Sequence, residues 1–488
     1  MPGRHELDTM FYPRSVAVVG ASASPIRVWP IRSPGGAGFV SRLRKAGFPG
    51  DIYPVNPKVT EVQGLKAYPN VKSIPAPVDL VIVAVPAPRV PEVLEDCITA
   101  GVKNVHIFSS GFSETGEEKG RQLEEKITEI TQRGGLRVVG PNCMGVYVPT
   151  SLLAGWGPKP AGSGPVAFLS QSGGHGEFLI RYAQGLGIRF SKVVSFGNAC
   201  GLQVLDFLEY LAEDPETGII TMYLEGIKDG NRVTQLIKTI NRTKPVIIWK
   251  GGLTDSGSRA VVSHTGSLAG EERVWEAFFT QTGAIRVNSL EEIVDVVMAL
   301  LYLAPPRGRR TLLVGGGGGN SVELADICSR EGLEVPPLSH ETRRRLAKFI
   351  PLAGNSIRNP LDVWPVLENV DLLRRSVELA VADPVINLVI VDRHTGGDDD
   401  NHPERTQRQR EVNNFIINFA KRNTYNKPLV VAMNAPDHDP DIIALGARLR
   451  REFALAGIPA YSSRVSAARA LARFIQYHEF QTESRDNS

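Results

Sequence analysis

The 488-residue sequence has few cysteines and no apolar segment long enough to span a membrane. The four cysteines show no paired spacing, which argues against a disulfide framework or a zinc site and is typical of a cytoplasmic protein. The longest apolar run, residues 293–304, already contains Asp295 and is too short for a bilayer, so no membrane partner is expected. The first residues lack the apolar core of a secretory signal, and export is not predicted.

Neither sign of charge is in large excess. The 55 basic and 52 acidic side chains leave a formal net charge of +3, and neither kind forms a long block. Nucleic-acid binding needs a basic patch or stripe, so nucleic acid is not an expected partner. Apolar residues make up 42% of the chain, which is too many for a disordered protein. At about 150 residues per domain, this length implies three domains.

Glycine is in excess, at 48 positions, and it often follows a short run of β-branched residues. Such near-continuous apolar runs are typical of parallel strands buried on both faces. The first predicted strands lie at 15–19, 52–55, 79–85, 104–108 and 136–139, and the helices between them at 38–45, 90–100 and 117–132. This alternation predicts an α/β protein that begins with a doubly wound parallel sheet.

The alternation restarts twice. Strands are predicted at 166–169, 192–195, 218–224 and 246–249 and, after a linker at 305–310, at 311–314, 388–391 and 429–432. We therefore expect a Rossmann-like domain over residues 10–150 and two flavodoxin-like, doubly wound domains over 160–304 and 310–476. The polar tail, residues 481–488, is predicted to be frayed.

Small and polar residues follow the strands of the first domain, at the sheet edge where doubly wound folds bind ligands. Gly20, Ala21 and Ser22 follow the first strand without a complete G-x-G-x-x-G fingerprint. Lys58 follows the second strand, where a dinucleotide-binding enzyme needs an acidic residue for the ribose. A lysine suits a phosphorylated nucleotide such as coenzyme A, and a solvated lysine in a structural turn is the alternative. The later strands end at Pro86, at Ser110 and Gly111, and at Pro141 and Asn142.

The turn Ser170-Gln171-Ser172-Gly173-Gly174 opens a predicted helix in the second domain. Its hydroxyls, its free backbone N–H groups and the positive end of the helix dipole favour a bound phosphate, and an ordinary N-cap by Ser172 is the alternative. His175, in the first helical turn, carries little functional weight. The glycine turn at 315–319 could hold phosphate similarly or be a tight structural turn.

Residues 250–270 contain five glycines, which predicts a long, pliable loop. His264 lies in it between Ser263 and Thr265, and a neutral imidazole can attack phosphorus and carry the phosphoryl group. Glu225 follows a predicted strand and could hold the other ring nitrogen, which would fix the tautomer. The alternatives are a loop histidine bonded to neighbouring hydroxyls and a solvated glutamate.

A further polar loop carries His394, His402 and the three aspartates at 398–400. These residues have no fixed metal-ligand spacing, so a solvated surface loop is expected and no metal site is predicted.

Eight motifs occur along the chain in one order: Val-Val-Gly-Ala-Ser, Pro-Val-Asn-Pro-Lys, Ser-Gly-Phe, Gly-Pro-Asn-Cys, Ser-Gln-Ser-Gly, Tyr-Leu-Glu-Gly, Ser-His-Thr-Gly-Ser-Leu-Ala-Gly and Asn-Pro-Leu-Asp. Together they resemble the α subunit of NDP-forming acyl-CoA synthetases, the ADP-forming acetate–CoA ligase group of the succinyl-CoA synthetase superfamily. The resemblance covers residues 10–474, and the eight-residue run around His264 is its most specific part.

The resemblance implies a reaction and the residues for it. The reaction is acyl-CoA + ADP + phosphate ⇌ carboxylate + CoA + ATP, through an acyl phosphate. His264 would be the phosphohistidine, Glu225 the residue that orients it, and Ser170, Ser172, Gly173 and Gly174 the phosphate-binding helix start. Coenzyme A would bind at Gly20, Ala21, Ser22, Lys58, Val85, Pro86, Ser110, Gly111, Pro141 and Asn142.

The sequence contains no ATP-grasp segment, so the resemblance implies a separate ATP-grasp β subunit, in an α2β2 assembly, that binds ATP or ADP and Mg²⁺. The chain departs from the family's pattern at residues 26–36, an insertion beside the coenzyme A crevice, and at 195–201 and 315–319. The last two departures suggest altered substrate specificity or an altered subunit contact. A CoA-binding regulatory protein without turnover is the main alternative. A Rossmann oxidoreductase is disfavoured by the missing fingerprint and by Lys58.

Overall fold

The computed structural model describes residues 5–22, 35–265, 271–315, 317–363, 369–394, 403–434 and 439–486. The chain forms two compact units. The first extends to Gln184 and includes Ile188–Leu290, and the second contains Gly185–Gly187 and the residues from Glu291 onward. Most of the predicted insertion at 26–36 lies outside the described residues; only its last two residues, Gly35 and Gly36, are described, at the start of a helix.

The first sheet belongs to the first unit. Its elements, with their helices, are α1 Asp8–Phe11, β1 Ser15–Val19, α2 Gly35–Ala46, β2 Asp51–Val55, β3 Glu61–Val62, β4 Leu65–Lys66, β5 Leu80–Val83, α3 Val90–Thr99, β6 Asn104–Ile107, α4 Glu118–Gly134 and β7 Arg137–Val139. The parallel order is β2-β1-β5-β6-β7, and β3 and β4 form a separate hairpin. β1, β5 and β6 are buried along their whole length, as their near-continuous apolar runs predict.

The second sheet also belongs to the first unit. Its elements are β8 Gly145–Tyr147, β9 Ser163–Ser170, α5 Gly173–Gly185, β10 Phe190–Ser195, α6 Val204–Glu213, β11 Ile219–Leu224, α7 Gly230–Ile240, β12 Val246–Lys250, α8 Asp255–Thr265, α9 Glu272–Thr282 and β13 Ile285–Val287. The strand order is β13-β12-β11-β9-β10-β8.

The third sheet belongs to the second unit. The elements of this unit are α10 Leu290–Tyr302, β14 Thr311–Gly315, α11 Gly318–Arg330, α12 His340–Leu346, β15 Ser356–Ile357, β16 Leu361–Asp362, α13 Val370–Ala382, β17 Leu388–His394, α14 Pro403–Arg422, β18 Leu429–Asn434, α15 Pro440–Leu455, β19 Ala460–Tyr461 and α16 Arg464–Asp486. The strand order is β15-β16-β14-β17-β18-β19. Asp295 of α10 forms a buried ion pair with Arg450 of α15 at 2.7 Å.

The three sheets share one topology. When the parallel strands of each sheet are counted in chain order, they lie in the order 2-1-3-4-5, so the chain reverses direction across the sheet between the first and third strands. Ligands of doubly wound folds bind at that point, beyond the carboxyl ends of the strands. The predicted α/β class with doubly wound parallel sheets is confirmed.

Each of the last two sheets carries an antiparallel edge strand that the sequence analysis missed, β8 and β15. They have three and two residues, too few for an alternating pattern to be recognised. Two elements lie on the other side of the domain boundaries that the sequence predicts. β8 belongs to the predicted first domain, residues 10–150, yet it pairs with β10 of the second sheet. α10 belongs to the predicted second domain, residues 160–304, yet it contacts α15 of the second unit. The boundaries of the three domains remain a proposal.

The prediction of a pliable loop over residues 250–270 is wrong for residues 255–265, which form α8. Thr254 caps this helix, because its side-chain oxygen accepts a hydrogen bond from the backbone N–H of Gly257 at 3.1 Å. Glycines 251 and 252 follow β12 and lie before the helix, whereas Gly257 lies in its first turn.

The tail at 481–488, predicted to be frayed, is helical as far as Asp486 because α16 continues to that residue. Tyr477 and Gln481 are both buried, and their spacing of four places them on one face of the helix. Among the helices of the described ranges, none combines the length and the apolar character needed to cross a membrane.

A buried histidine links the first two sheets. Nε2 of His106, in β6, donates to the carbonyl of Cys143 at 3.2 Å, and a Cβ at Gly145, in β8, would overlap the His106 ring. Gly145 has a φ of 80°, so its backbone also favours glycine.

We expect His106 to make the folded state sensitive to mild acid. Burial lowers its pKa from 6.5 to about 4. Between those values the unfolded chain takes up a proton that the folded chain does not, so a stabilisation that is complete above pH 6.5 is lost as the pH falls to 4. The loss is roughly 3 kcal/mol of unfolding free energy. Urea unfolding of the wild type and of His106→Gln at pH 7 and pH 4 measures it, and the variant should lose correspondingly less stability. An equal loss in both proteins would contradict the assignment.

Candidate functional site

Gly20 lies at the switch point of the first sheet, between the ends of β1 and β5. Its φ of 89° is in the left-handed region, and a Cβ there would overlap the carbonyl oxygen of Ala84. A Cβ at Gly36, at the start of α2, would overlap the backbone of Gly20 in turn. Three backbone segments therefore pack directly against one another at the carboxyl end of β1, the part of a doubly wound sheet where ligands bind.

Asn56, which the sequence analysis did not select, ties the end of β2 to this point. Its side-chain amide donates to the carbonyl of Ala21 at 2.7 Å, and its side-chain oxygen accepts the backbone N–H of Lys58 at 2.9 Å. Ala21 is buried, Ser22 is partly buried and the Lys58 side chain is exposed beside the turn. The structure thus brings Lys58 and the residues that follow β1 to one edge.

Ser109, also missed by the sequence analysis, connects the remaining strand ends of this sheet. Its hydroxyl accepts the backbone N–H of Val85 at 3.2 Å, and its carbonyl accepts the backbone N–H of Asn142 at 2.9 Å. The other predicted residues follow β5, β6 and β7 at the same edge, with Pro86 and Ser110 exposed, Gly111 partly buried and Pro141 buried. All ten predicted coenzyme A residues therefore lie along one edge of the first sheet.

Ser170 and Glu225 lie at the switch point of the second sheet, at the ends of β9 and β11. The side-chain oxygen of Gln171 accepts the backbone N–H groups of Glu225 and of Gly226, the latter at 3.1 Å. Sequence reasoning included Gln171 in the motif but gave it no role. This amide joins the predicted phosphate turn to the predicted glutamate across two neighbouring strands.

The turn before α5 has the geometry of an N-cap. The hydroxyl of Ser170 donates to the carbonyl of Ser172 at 2.7 Å, and the hydroxyl of Ser172 accepts the backbone N–H of His175 at 3.4 Å. Gly173 is partly buried and Gly174 exposed, and α5 starts at Gly173. Ser172 therefore acts as an N-cap, the alternative to a phosphate site that the sequence left open. This cap occupies one backbone N–H, so an anion can still bind at the other N–H groups of the first turn.

Glu225 is buried, with 3% exposure, and it accepts a hydrogen bond at Oε1 from the Tyr223 hydroxyl at 3.1 Å. Lys250, the last residue of β12, is also buried, and its ammonium group lies 5.2 Å from the centre of the Trp275 ring. Burial lowers the pKa of Lys250 to about 8, although attraction to Glu225 opposes that shift. The Glu225 carboxylate and the Lys250 amino group thus lie close to each other at the carboxyl edge of the second sheet.

The backbone of His264 lies in α8, and its side chain is outside the described part of the structure. α8 follows β12, so it starts from the edge that carries Glu225. It packs against the 3-10 turn Ser113–Thr115, which follows β6 in the first sheet. The helix that carries His264 therefore connects the carboxyl edges of the two sheets.

The segment at 195–201, which departs from the family's pattern, packs onto the first sheet. A Cβ at Gly197 would overlap the carbonyl oxygen of Pro141. The side-chain amide of Asn198 donates to the carboxylates of Glu114 and Glu124, each at 2.7 Å. These contacts hold the edges of the two sheets together within the first unit.

In the second unit, the glycine turn at 315–319 is partly described. The backbone N–H of Gly318 donates to the carboxylate of Asp362 at 2.6 Å, so an acidic side chain of the same unit already occupies this helix start. Among the described residues no cluster of acidic residues, histidines and cysteines is suited to a metal ion. The aspartates at 398–400 and His402 lie outside them.

Two family models match the first unit. Residues 14–149 match a CoA binding domain, and residues 163–300 match the succinyl-CoA ligase like flavodoxin domain, a match that continues through most of α10 into the second unit.

Two similar relatives are both named as the α subunit of an ADP-forming acetate–CoA ligase. The chain is 34% identical over 490 residues to the acetate–CoA ligase [ADP-forming] I subunit alpha of Pyrococcus furiosus, covering 98% of this chain and 99% of the relative. It is 39% identical over 385 residues to the II subunit alpha of that organism, covering 79% and 81%. A solved acetyl-coenzyme A synthetase 1 of Ca. Korarchaeum cryptofilum, in complex with phosphate and ADP, covers 99% of both chains at 31% identity and a TM-score of 0.83. The chain therefore belongs to the ADP-forming acetate–CoA ligase family of carboxylate–CoA ligases.

Proposed function

We propose that the chain is the catalytic α subunit of an ADP-forming acyl-CoA synthetase, which interconverts acyl-CoA, ADP and phosphate with a carboxylate, CoA and ATP. One observation supports this most directly: α8, whose backbone includes His264, packs against the turn Ser113–Thr115 after β6 of the first sheet and follows β12, which neighbours β11 and Glu225 in the second sheet. A histidine on a helix between these two edges would reach a ligand bound there. The names of the relatives support the same reaction.

Coenzyme A would bind at the edge of the first sheet. The turn after β1 lies against the start of α2 at Gly20 and Gly36, and the backbone N–H groups of a helix start would favour a pyrophosphate there. Lys58 is exposed at that edge and would attract a phosphate of the nucleotide. The other predicted residues of the crevice would contact the remainder of the nucleotide and the thiol arm.

Phosphate would bind at the start of α5, at the N–H groups of Gly173 and Gly174 and beside the hydroxyls of Ser170 and Ser172. A phosphate oxygen attacks the acyl carbonyl carbon, the C–S bond breaks, and CoA leaves as the thiolate and takes up a proton. The acyl phosphate remains at the helix start. The positive end of the helix dipole stabilises the negative charge that these steps distribute over the phosphate oxygens.

His264 would then attack the phosphorus of the acyl phosphate with a neutral ring nitrogen, and the P–O bond to the acyl group breaks to release the carboxylate. Glu225 would accept the N–H of the other ring nitrogen, which places the lone pair on the attacking atom and stabilises the positive charge that forms on the ring. The phosphoryl group leaves His264 for ADP in the last step.

We place the ADP on a partner. The relatives named as α subunits imply a second subunit, and we propose an ATP-grasp β subunit in an α2β2 assembly. Mg²⁺ would bind there with the nucleotide. The acid is a small carboxylic acid.

The test uses the full chain with inorganic phosphate and a panel of acetyl, branched-chain, aryl and dicarboxylic acyl-CoAs, followed by intact mass and acid lability. We expect one acid-labile phosphoryl group, and the acyl-CoA that produces it identifies the acid. Coenzyme A binding is measured in parallel by calorimetry. Binding without a label from any acyl-CoA would contradict the proposed reaction and favour a CoA-binding regulatory protein without turnover.

A further inference from the structure

The Tyr223 hydroxyl donates a hydrogen bond to Oε1 of Glu225 at 3.1 Å. Tyr223 lies two residues before Glu225 on β11, and it pairs in register with Ser170 of β9 and Trp249 of β12. It is buried, with 7% exposure. The contact therefore lies inside the first unit, at the switch point of the second sheet.

The Tyr223 ring is held on several sides. Its centre lies 4.3 Å from that of His175 and 4.7 Å from that of Trp249, and the rings of His175 and Trp249 are 4.8 Å apart. A Cβ at Gly251 would lie 2.7 Å from the Tyr223 hydroxyl oxygen. Gly251 does not have a positive φ, so the hydroxyl, and not the backbone conformation, accounts for a small residue there. The packing fixes the direction in which the hydroxyl points.

Tyr223 and Glu225 form a hydrogen-bonded pair in which the tyrosine hydroxyl is the donor and the carboxylate is the acceptor. Burial and the neighbouring Glu225 both raise the pKa of Tyr223, so its hydroxyl keeps its proton and acts as a donor. Gln171 holds the backbone N–H of Glu225, so both the backbone and one carboxylate oxygen of Glu225 are positioned. A carboxylate can accept hydrogen bonds at both oxygens, and Oε2 is the oxygen that an imidazole N–H would use.

We propose that Tyr223 is a positioning residue for the phosphoryl transfer: its hydroxyl holds Oε1 of Glu225 so that the carboxylate presents its second oxygen to His264. This inference rests on the proposed function and adds to it a residue to which the sequence analysis gave no role. His175 and Trp249 act by holding the ring, and Gly251 acts by leaving room for the hydroxyl.

Tyr223→Phe keeps the ring and removes the donor. We expect phosphorylation of His264 by phosphate and the productive acyl-CoA to slow by about 10-fold or more, the size expected for one hydrogen bond to a charged group. The pH–rate profile should also change, because His264 must be neutral to attack and the carboxylate that Tyr223 positions would hold its second ring nitrogen. His175 on α5 and Lys250 on β12, the other titratable groups around the pair, are unchanged in this variant. The affinity for coenzyme A should be unchanged.

Gly251→Ala gives an independent test, because the added methyl group displaces the hydroxyl while the tyrosine remains. It should reproduce both the slower labelling and the altered pH–rate profile. Tyr147→Phe is the matched control: Tyr147 is a buried tyrosine of the same unit whose hydroxyl donates to the carbonyl of Pro158 at 3.2 Å. That variant should label at the wild-type rate, and thermal unfolding of all three variants checks their folding.

Labelling of Tyr223→Phe at the wild-type rate would overturn the inference. A slower rate with an unaltered pH–rate profile would also overturn it, since that result assigns Tyr223 a packing role only. If the wild type itself takes up no label, the proposed function has failed, and the inference fails with it for that separate and recognisable reason.

Discussion

Replacing His264 with alanine is expected to abolish the acid-labile phosphoryl group completely. The imidazole is the proposed nucleophile, and alanine has no atom that can form a bond to phosphorus. Removing a nucleophile typically lowers turnover by about 10⁴-fold or more, which is beyond the detection limit of a mass measurement. Intact mass after incubation with phosphate and the productive acyl-CoA checks this result.

Two controls make the His264 experiment specific. His340→Ala removes an exposed histidine at the start of α12, in the second unit, and should leave the label unchanged. Coenzyme A affinity of His264→Ala, measured by calorimetry, should match the wild type, because the coenzyme A crevice is assigned to the first sheet. A phosphoryl label that persists in His264→Ala would show that another residue is the acceptor.

Gly20→Ala is expected to weaken coenzyme A binding by about 100-fold or more, which corresponds to roughly 3 kcal/mol of binding free energy. The added Cβ would overlap the carbonyl oxygen of Ala84, so the ends of β1 and β5 must separate at the point where the peptide groups would meet the ligand. The φ of 89° adds backbone strain for any residue with a Cβ. Calorimetric titration with coenzyme A measures the change.

Gly101→Ala separates the effect of backbone strain from the effect of steric overlap at the ligand site. Gly101 has a φ of 72°, yet no atom lies within 4 Å of a Cβ built there, and it precedes β6 at the opposite edge of the sheet. Its substitution should cost about 1 kcal/mol of stability through backbone strain alone and leave coenzyme A affinity unchanged. If Gly20→Ala binds coenzyme A as tightly as the wild type, the crevice of the first sheet is not the binding site.

The strands and most helices could be predicted from the sequence because their signals are local. β1 was predicted to the residue, and β5, β6 and β11 within two residues at either end, because buried parallel strands have near-continuous apolar runs. The family resemblance was also local, since it depended on short motifs at strand ends. The relatives and solved structures confirm that assignment.

The prediction failed where tertiary contacts override composition. Residues 255–265 form a helix despite the glycines around them, because Thr254 caps its start and it packs against the turn after β6. Gln481 remains in a helix because its face of α16 is buried. The Thr254 cap is local, but the turn that packs against α8 lies far from it in sequence, so the residues of this segment do not reveal that contact.

By itself, the sequence determined which segments become buried strands and which small or polar residues follow them, since burial and turn formation depend on the residues within each segment. Only the tertiary structure decided which strand ends are neighbours. The order 2-1-3-4-5 places Gln171 beside Glu225, 54 positions apart, and Gly20 beside Ala84. The Tyr223–Glu225 contact likewise depends on rings supplied by three separate elements. Such pairings depend on packing between distant segments, and no local pattern encodes them.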